Sequence, residues 1–436
     1  MTTRTDVSEN ALHNTRPMAD AARAIAAGDL SSEALVAACL ARIDERDGDV
    51  GAWTHVDPER ALAEARERDA ETPKSPLHGI PFGIKDIIDT ADMPTEYGTP
   101  IYEGVRPAWD AACVALLREA GCVALGKTVT TEFATRHPGK TCNPLDLTRT
   151  PGGSSSGSAA AVADFMVPVA YGTQTTGSVI RPGAYCGVVA VKPTFGMISR
   201  SGVKPLSDAL DTVGYYTRTV EDAALFLQVV ANYPTTDFGG VANLRPRIAI
   251  CRTTVWDRAR PETVELFDGL GGRLAAAGAE VRELQFPGDF DEIADAQAVL
   301  NDYESLKALT YERVNFPEML SEELTTKIER SFGHSYERYR WALGLAERCK
   351  ALLPGLIAED EVILAPAAMG VAEVGQGHTG DPIFSQVWNL IHVPSVCVPA
   401  GKGPADMPLG VQIIARCGDD GRAFVHAEWV RRALAS

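Results

Sequence analysis

From residue 79 to the end of the chain, short apolar runs alternate with stretches of helical periodicity, and this alternation leaves few architectures open. The runs at 122–125, 167–171, 188–191, 247–250, 361–364 and 409–415 read as short strands. Between them, 110–120, 219–231 and 422–435 read as helices. Strands separated by helices along the whole chain imply an α/β fold, one sheet covered by helices on both faces. Residues 1–70 read as a helical region. Ser31-Ser32-Glu33 opens an apolar-periodic stretch reaching Arg42, and 57–70 is rich in Ala and Glu. No repeat and no Ser/Gly linker divides the chain, so 1–436 is read as a single domain with a mostly helical flank at 252–355.

Composition narrows what such a chain can do. Lys and Arg number 41 against 58 Asp and Glu, a formal charge of −17. A surface of that sign repels phosphate backbones and acidic lipid, which argues against nucleic acid or membrane as partner. The longest apolar run, 159–170, is broken by Asp164 and Pro168 and is too short to span a bilayer. The stretch from Met1 to Asn14 is polar, unlike a secretory leader. Nine cysteines are scattered, mostly in apolar contexts and never as Cys-x-x-Cys, which reads as reduced thiols in a cytoplasmic protein. The eight histidines show no His-x-x-x-His spacing, so no metal site is expected.

Two motif matches fail on physical grounds. Gly121 to Thr128 fits the phosphate-loop pattern, but the residues between its glycines are Cys-Val-Ala-Leu. Those prefer a strand to a loop whose N–H groups wrap a phosphate. Gly153 to Gly157 fits the nucleophile-elbow pattern, yet no strand-like run precedes it.

Three polar segments embedded between strands carry the chemistry: 79–90, 150–163 and 171–194. The first sets Lys85 in an apolar strand. A buried ammonium without a partner is pushed toward its neutral form, which is a competent general base. The alternative is an ion pair with Asp86 or Asp89. In the third, Thr175, Thr176, Gly177 and Ser178 occupy a turn into a helix. Small residues there let backbone N–H groups approach a ligand, as an oxyanion hole requires. A plain helix cap explains the same residues.

Together these segments resemble the amidase signature family. The match runs from Gly79 to about Arg218. It takes in Gly79-Ile80-Pro81, Lys85-Asp86, Glu132-Phe133-Ala134, Asn143-Pro144 and the Pro151-to-Gly157 glycine–serine run. It continues through Gly172-Thr173, Gly177-Ser178, Arg181-Pro182, Cys186-Gly187, Lys192-Pro193, Asp211-to-Gly214 and Arg218-Thr219-Val220. The resemblance implies a core at 79–220 and a large mixed, twisted sheet of about eleven strands. It implies amide hydrolysis without metal or cofactor, by a triad falling on Ser178 as nucleophile, Ser154 as bridging serine after a cis peptide, and Lys85 as base. The N–H groups of Thr175 to Ser178 then form the oxyanion hole, with Ser155 and Asp211 at the network's edge and Ser155 also expected to bind substrate. Many relatives have glycine where this chain has Thr176.

Within that family the chain looks most like the malonamidase-type small amidases. That likeness makes Arg181 a clamp for a substrate carboxylate, the other reading being a structural ion pair. It points to monoamides of short dicarboxylic acids. Arg136 and His137 are further pocket candidates. Two alternatives stand: the A subunit of a tRNA-dependent amidotransferase, acting as a glutaminase with partner subunits, and a non-catalytic binding protein on the same fold. Many relatives are homodimers.

Overall fold

The computed structural model describes residues 13–435; residues 1–12, which hold most of the polar N-terminal stretch, and Ser436 lie outside the described residues. The strands are β1 (Trp53–Val56), β2 (Pro81–Lys85), β3 (Val123–Thr128), β4 (Val169–Gln174), β5 (Val189–Lys192) and β6 (Thr212–Thr217). They continue with β7 (Arg247–Ile250), β8 (Glu280–Glu283), β9 (Glu361–Pro366), β10 (Ser395–Lys402) and β11 (Pro408–Ile414). All lie in one 11-stranded sheet of order β1-β3-β2-β4-β6-β5-β10-β11-β9-β7-β8. β2 runs parallel to both its neighbours, β3 and β4, and β7 to both of its own, β8 and β9. Every pairing from β4 across to β9 is antiparallel, which makes the sheet mixed.

Strands β2, β3, β4, β5, β6 and β9 are buried at every position. Only a sheet covered on both faces buries alternate side chains in opposite directions at once. Some of the helices begin where the sequence supplies a side-chain cap. Ser31 accepts from the Ala34 N–H at the start of Ser32–Val50, and Asp57 from the Arg60 N–H at the start of Pro58–Ala70. The helices expected at 110–120, 219–231 and 422–435 form over Ala112–Glu119, Val220–Val230 and Asp420–Ala435. Four strands escaped the sequence reading: β1, β6, β8 and β10.

The flank at 252–355 is helical apart from the edge strand β8. Its helices Ile293–Ala308 and Tyr336–Leu356 pack with Trp388, Ile363 and Ile414 in a second hydrophobic cluster. No helix among the described residues is long and apolar enough to cross a membrane. All nine cysteines are free. The phosphate-loop match proves to be β3 itself. Its Lys127 is buried, donates to the Ile88 carbonyl at 2.7 Å and pairs with Asp86 at 3.4 Å. β2 and β4 are parallel neighbours, so their C-terminal ends share one edge of the sheet. At such an edge α/β proteins gather their ligands.

Candidate active site

Lys85 is the last residue of β2 and is wholly buried. Its Nζ donates to Ser154 Oγ at 2.7 Å and to Thr173 Oγ1 at 2.8 Å. Neither neighbouring carboxylate takes it. Asp86 faces Lys127, and Asp89 accepts from the Tyr97 hydroxyl at 2.9 Å. The ion-pair reading of Lys85 is therefore set aside. Burial drives its pKa well below the ordinary lysine value, with the charge of Asp211 opposing.

Ser154 is buried and follows a cis peptide bond from Gly153. Ser155, next along, is also buried and does not line the cavity. Its hydroxyl donates to the Thr173 carbonyl at 3.2 Å and accepts from the Thr173 N–H at 3.1 Å, tying the start of helix Ser156–Ala163 to β4. The element preceding this glycine–serine run is the short turn Glu132–Ala134 and not a strand, so no nucleophile elbow forms.

β4 ends at Gln174, and the chain turns through 175–179 into helix Ile180–Cys186. Gln174 folds back so that its side-chain oxygen accepts from the N–H groups of Val179 and Ile180 at 3.0 and 3.1 Å. The Thr175 hydroxyl donates to Asp211 at 2.6 Å, and the Thr175 carbonyl accepts from Asn389 Nδ2 at 2.7 Å. Burial raises the pKa of Asp211, while the Thr175 hydroxyl and the N–H groups of Ser207 and Leu206 pull it back. The N–H groups of Thr176, Gly177 and Ser178 find no acceptor among the described residues.

Ser178 is half-buried and lines a cavity of about 440 Å³ together with Thr175, Thr176, Arg181 and Arg136. A second cavity of about 250 Å³ shares Thr175, Ala134 and Leu206 with it and extends to Thr173 and Asp211. Among the described residues no hydrogen bond closes between the Ser154 and Ser178 hydroxyls. The two segments are joined through the backbone, Ser155 N–H to the Ser178 carbonyl at 3.4 Å.

Arg181 is 3% exposed. Its Nη2 donates to the Gly153 carbonyl at 2.6 Å and to Thr379 Oγ1 at 3.2 Å, while Nε and Nη1 have no partner among the described residues. No carboxylate is paired with it, and burial lowers its pKa to about 10. The structural ion pair considered for Arg181 is absent among the described residues. Arg136 is exposed at the cavity, whereas His137 turns to Glu323 at 3.0 Å.

Several polar residues at this site gave no signal in the sequence. Thr173 sits in a strand like any β-branched residue. Gln297, Thr379 and Asn389 come from distant parts of the chain, with no motif to mark them.

The chain matches the family model described as Amidase over residues 34–424. It is 34% identical to the A subunit of glutamyl-tRNA(Gln) amidotransferase from Anaeromyxobacter sp. (strain K), over 95% of this chain and 95% of that protein. It is also 34% identical to the corresponding subunit from Streptomyces avermitilis, over 96% and 95% of the two chains. Among solved structures, an amidase superposes with a TM-score of 0.87 at 28% identity, covering 96% of this chain and 100% of that one. The peptide amidase of Stenotrophomonas maltophilia superposes at 0.82 and 29% identity, over 96% and 97%. A family match across most of the length, on the same mixed sheet, leaves one conclusion: this chain belongs to the amidase family, enzymes that hydrolyse carbon–nitrogen amide bonds.

Proposed function

We propose that the chain hydrolyses the carboxamide of a small substrate bearing a carboxylate, with Ser178 as nucleophile, Ser154 as proton bridge and Lys85 as base. The observation that carries this reading is the Lys85 amine, buried, free of any carboxylate and hydrogen-bonded to Ser154. An amine so placed is neutral at a pH where an exposed lysine is charged. Its lone pair can then take the Ser154 proton while Ser154 takes that of Ser178, whose oxygen attacks the amide carbon. The free N–H groups of the 175–178 turn would stabilise the oxyanion, each good donor being worth roughly 10²–10³ in kcat. Ser154 returns the proton to the departing amine, and water hydrolyses the acyl-enzyme.

The unpaired guanidinium of Arg181 at the cavity supports a carboxylate on the substrate. Monoamides of short dicarboxylic acids meet that description, and so does glutamine. The curated relatives favour glutamine, since the three at 34% identity are named as glutamyl-tRNA(Gln) amidotransferase A subunits. On that reading the chain releases ammonia for partner proteins. The comparisons support it better than they support the monoamide reading.

The test is ammonia release by the purified chain alone from malonamate, succinamate, glutamine and neutral amides, with Ser178→Ala as control. Release that survives Ser178→Ala rejects the nucleophile. Preference for neutral amides rejects the role given to Arg181. Turnover of glutamine above the monoamides selects the glutaminase reading; the reverse order selects the monoamide reading.

A further inference from the structure

The 175–178 turn is gripped from outside the signature core by carboxamides of the helical flank. Gln297 is 1% exposed on helix Ile293–Ala308. Its Nε2 donates to the Thr176 hydroxyl oxygen at 2.8 Å and to the Thr175 carbonyl at 3.2 Å. One helical turn later, Asn301 Nδ2 reaches the same Thr176 oxygen at 3.4 Å. Residues four apart lie on one helix face, so a single face of this helix holds the turn.

The polarity of these contacts is fixed by their ends. A backbone carbonyl can only accept, so the nitrogen of Gln297 faces Thr175 and its oxygen faces away. That oxygen accepts from Gln386 Nε2 at 3.4 Å. An ammonium can only donate, so Lys327 Nζ, 2.8 Å from Asn301 Oδ1, turns the nitrogen of Asn301 toward Thr176. Both carboxamides thus present donors to a threonine that stands where the family resemblance has glycine. A glycine offers no side-chain atom to hold; the threonine hydroxyl is the handle.

We propose that Gln297, assisted by Asn301, is a positioning residue that sets the oxyanion turn through Thr176 and the Thr175 carbonyl. This rests on the reading of 175–178 as the oxyanion hole and Ser178 as nucleophile. Losing the two Gln297 donors frees the turn to shift, and displacements of about 1 Å at such a site cost on the order of 10²-fold in rate. Gln297 and Asn301 also line the cavity that holds Ser178, so the split between half-saturation and maximal rate separates a contact with the ligand from an action through the turn.

An alkyl fluorophosphonate tests this without knowledge of the substrate. Its phosphorus is attacked by the nucleophilic serine, the P–F bond breaks, fluoride leaves and the serine proton passes to the base. Labelling is followed by intact mass for the wild type, Ser178→Ala, Gln297→Leu and Gln297→Glu. Gln297→Leu is expected to lower the maximal labelling rate roughly tenfold to a hundredfold, with half-saturation within about threefold. Gln297→Glu keeps the shape but removes the donors, so near neutral pH it is expected to be as slow.

The ratio of the Gln297→Glu rate to the wild-type rate then rises as pH falls, because a protonated carboxyl regains one O–H donor. Lys85, Lys327 and Asp302 titrate in both proteins, so the ratio removes their common effect. A maximal rate within about twofold of wild type in both variants overturns the proposal, as does a ratio flat with pH. If Gln297→Leu does not fold, Gln297→Glu and its pH ratio decide alone. Labelling that persists in Ser178→Ala overturns the underlying site reading instead, whatever the Gln297 variants do.

Discussion

Lys85, Lys127 and Lys192 are all fully buried, and their surroundings give them different states. Lys127 pairs with Asp86, and Lys192 donates to the carbonyls of Pro193 and Val393, with its pKa lowered by burial to about 8. Among the described residues Lys85 donates only to hydroxyls. If it is the base, kcat/KM rises with pH through its depressed pKa and levels off below the ordinary lysine range. Lys85→Arg, always protonated, should lose about 10²–10⁴ in rate at every pH, measured on whichever amide the wild type turns over best. The same shift should show in stability. The folded-state pKa lies below the unfolded one, so between the two values the unfolded chain holds the extra proton and stability increases with pH. Urea unfolding of Lys85→Met should show a shallower rise between neutral and alkaline pH than the wild type. The sequence made Lys85 conspicuous but left its partner open, because Asp86 and Asp89 are taken by Lys127 and Tyr97 only once β3 and the 95–99 loop are in place.

Helix Ser156–Ala163 consists of Ser, Gly, Ala and one Val, and it packs against several strands because it is thin. A Cβ at Gly157 would stand 2.2 Å from the Ala52 carbonyl oxygen and 2.4 Å from the Val129 nitrogen. Both are backbone atoms that cannot swing aside, so Gly157→Ala should destabilise by about 1–3 kcal/mol or more. The readout is the urea midpoint, and a midpoint equal to that of the wild type would refute the tight-packing account. Helix starts were legible because caps are local: Ser31 and Asp57 announce their helices within three residues. The missed strands lack a local signature. β1 is four residues between two helices, β8 is mostly exposed with two glutamates, and β10 contains Pro399 and Gly401 at a register shift. β6 carries Gly214, whose Cβ would clash with the Val191 carbonyl of neighbouring β5. Each is a strand because a partner strand supplies its hydrogen bonds.

Seen as one body, the chain carries a net charge of −17 around a single continuous sheet. Self-repulsion of that size weakens the compact state, and salt screens it: the Debye length falls from about 30 Å at 0.01 M to about 8 Å at 0.15 M. Raising NaCl across that range should therefore raise the Tm, read by differential scanning fluorimetry. A falling Tm would mean that attractive surface pairs such as Arg252–Glu283 outweigh the net repulsion. Arg181, paired with no carboxylate among the described residues, and exposed Arg136 place positive charge at the cavity, within an otherwise acidic molecule. A carboxylate-bearing substrate would meet attraction there.

Periodicity, caps and glycine placement are local properties. They were enough to read the α/β class, five of the helices and the polar segments at 79–90, 150–163 and 171–194 from the chain alone. The contact between Lys85 and Ser154, 69 positions apart, needed β2 and β4 to pair in parallel before it could be seen. Gln297 and Asn389 lie still farther from the turn they hold, and nothing in their neighbourhoods sets them apart from other carboxamides. A hydrogen-bond partner is chosen by proximity, and across such separations proximity is created by sheet order and helix packing.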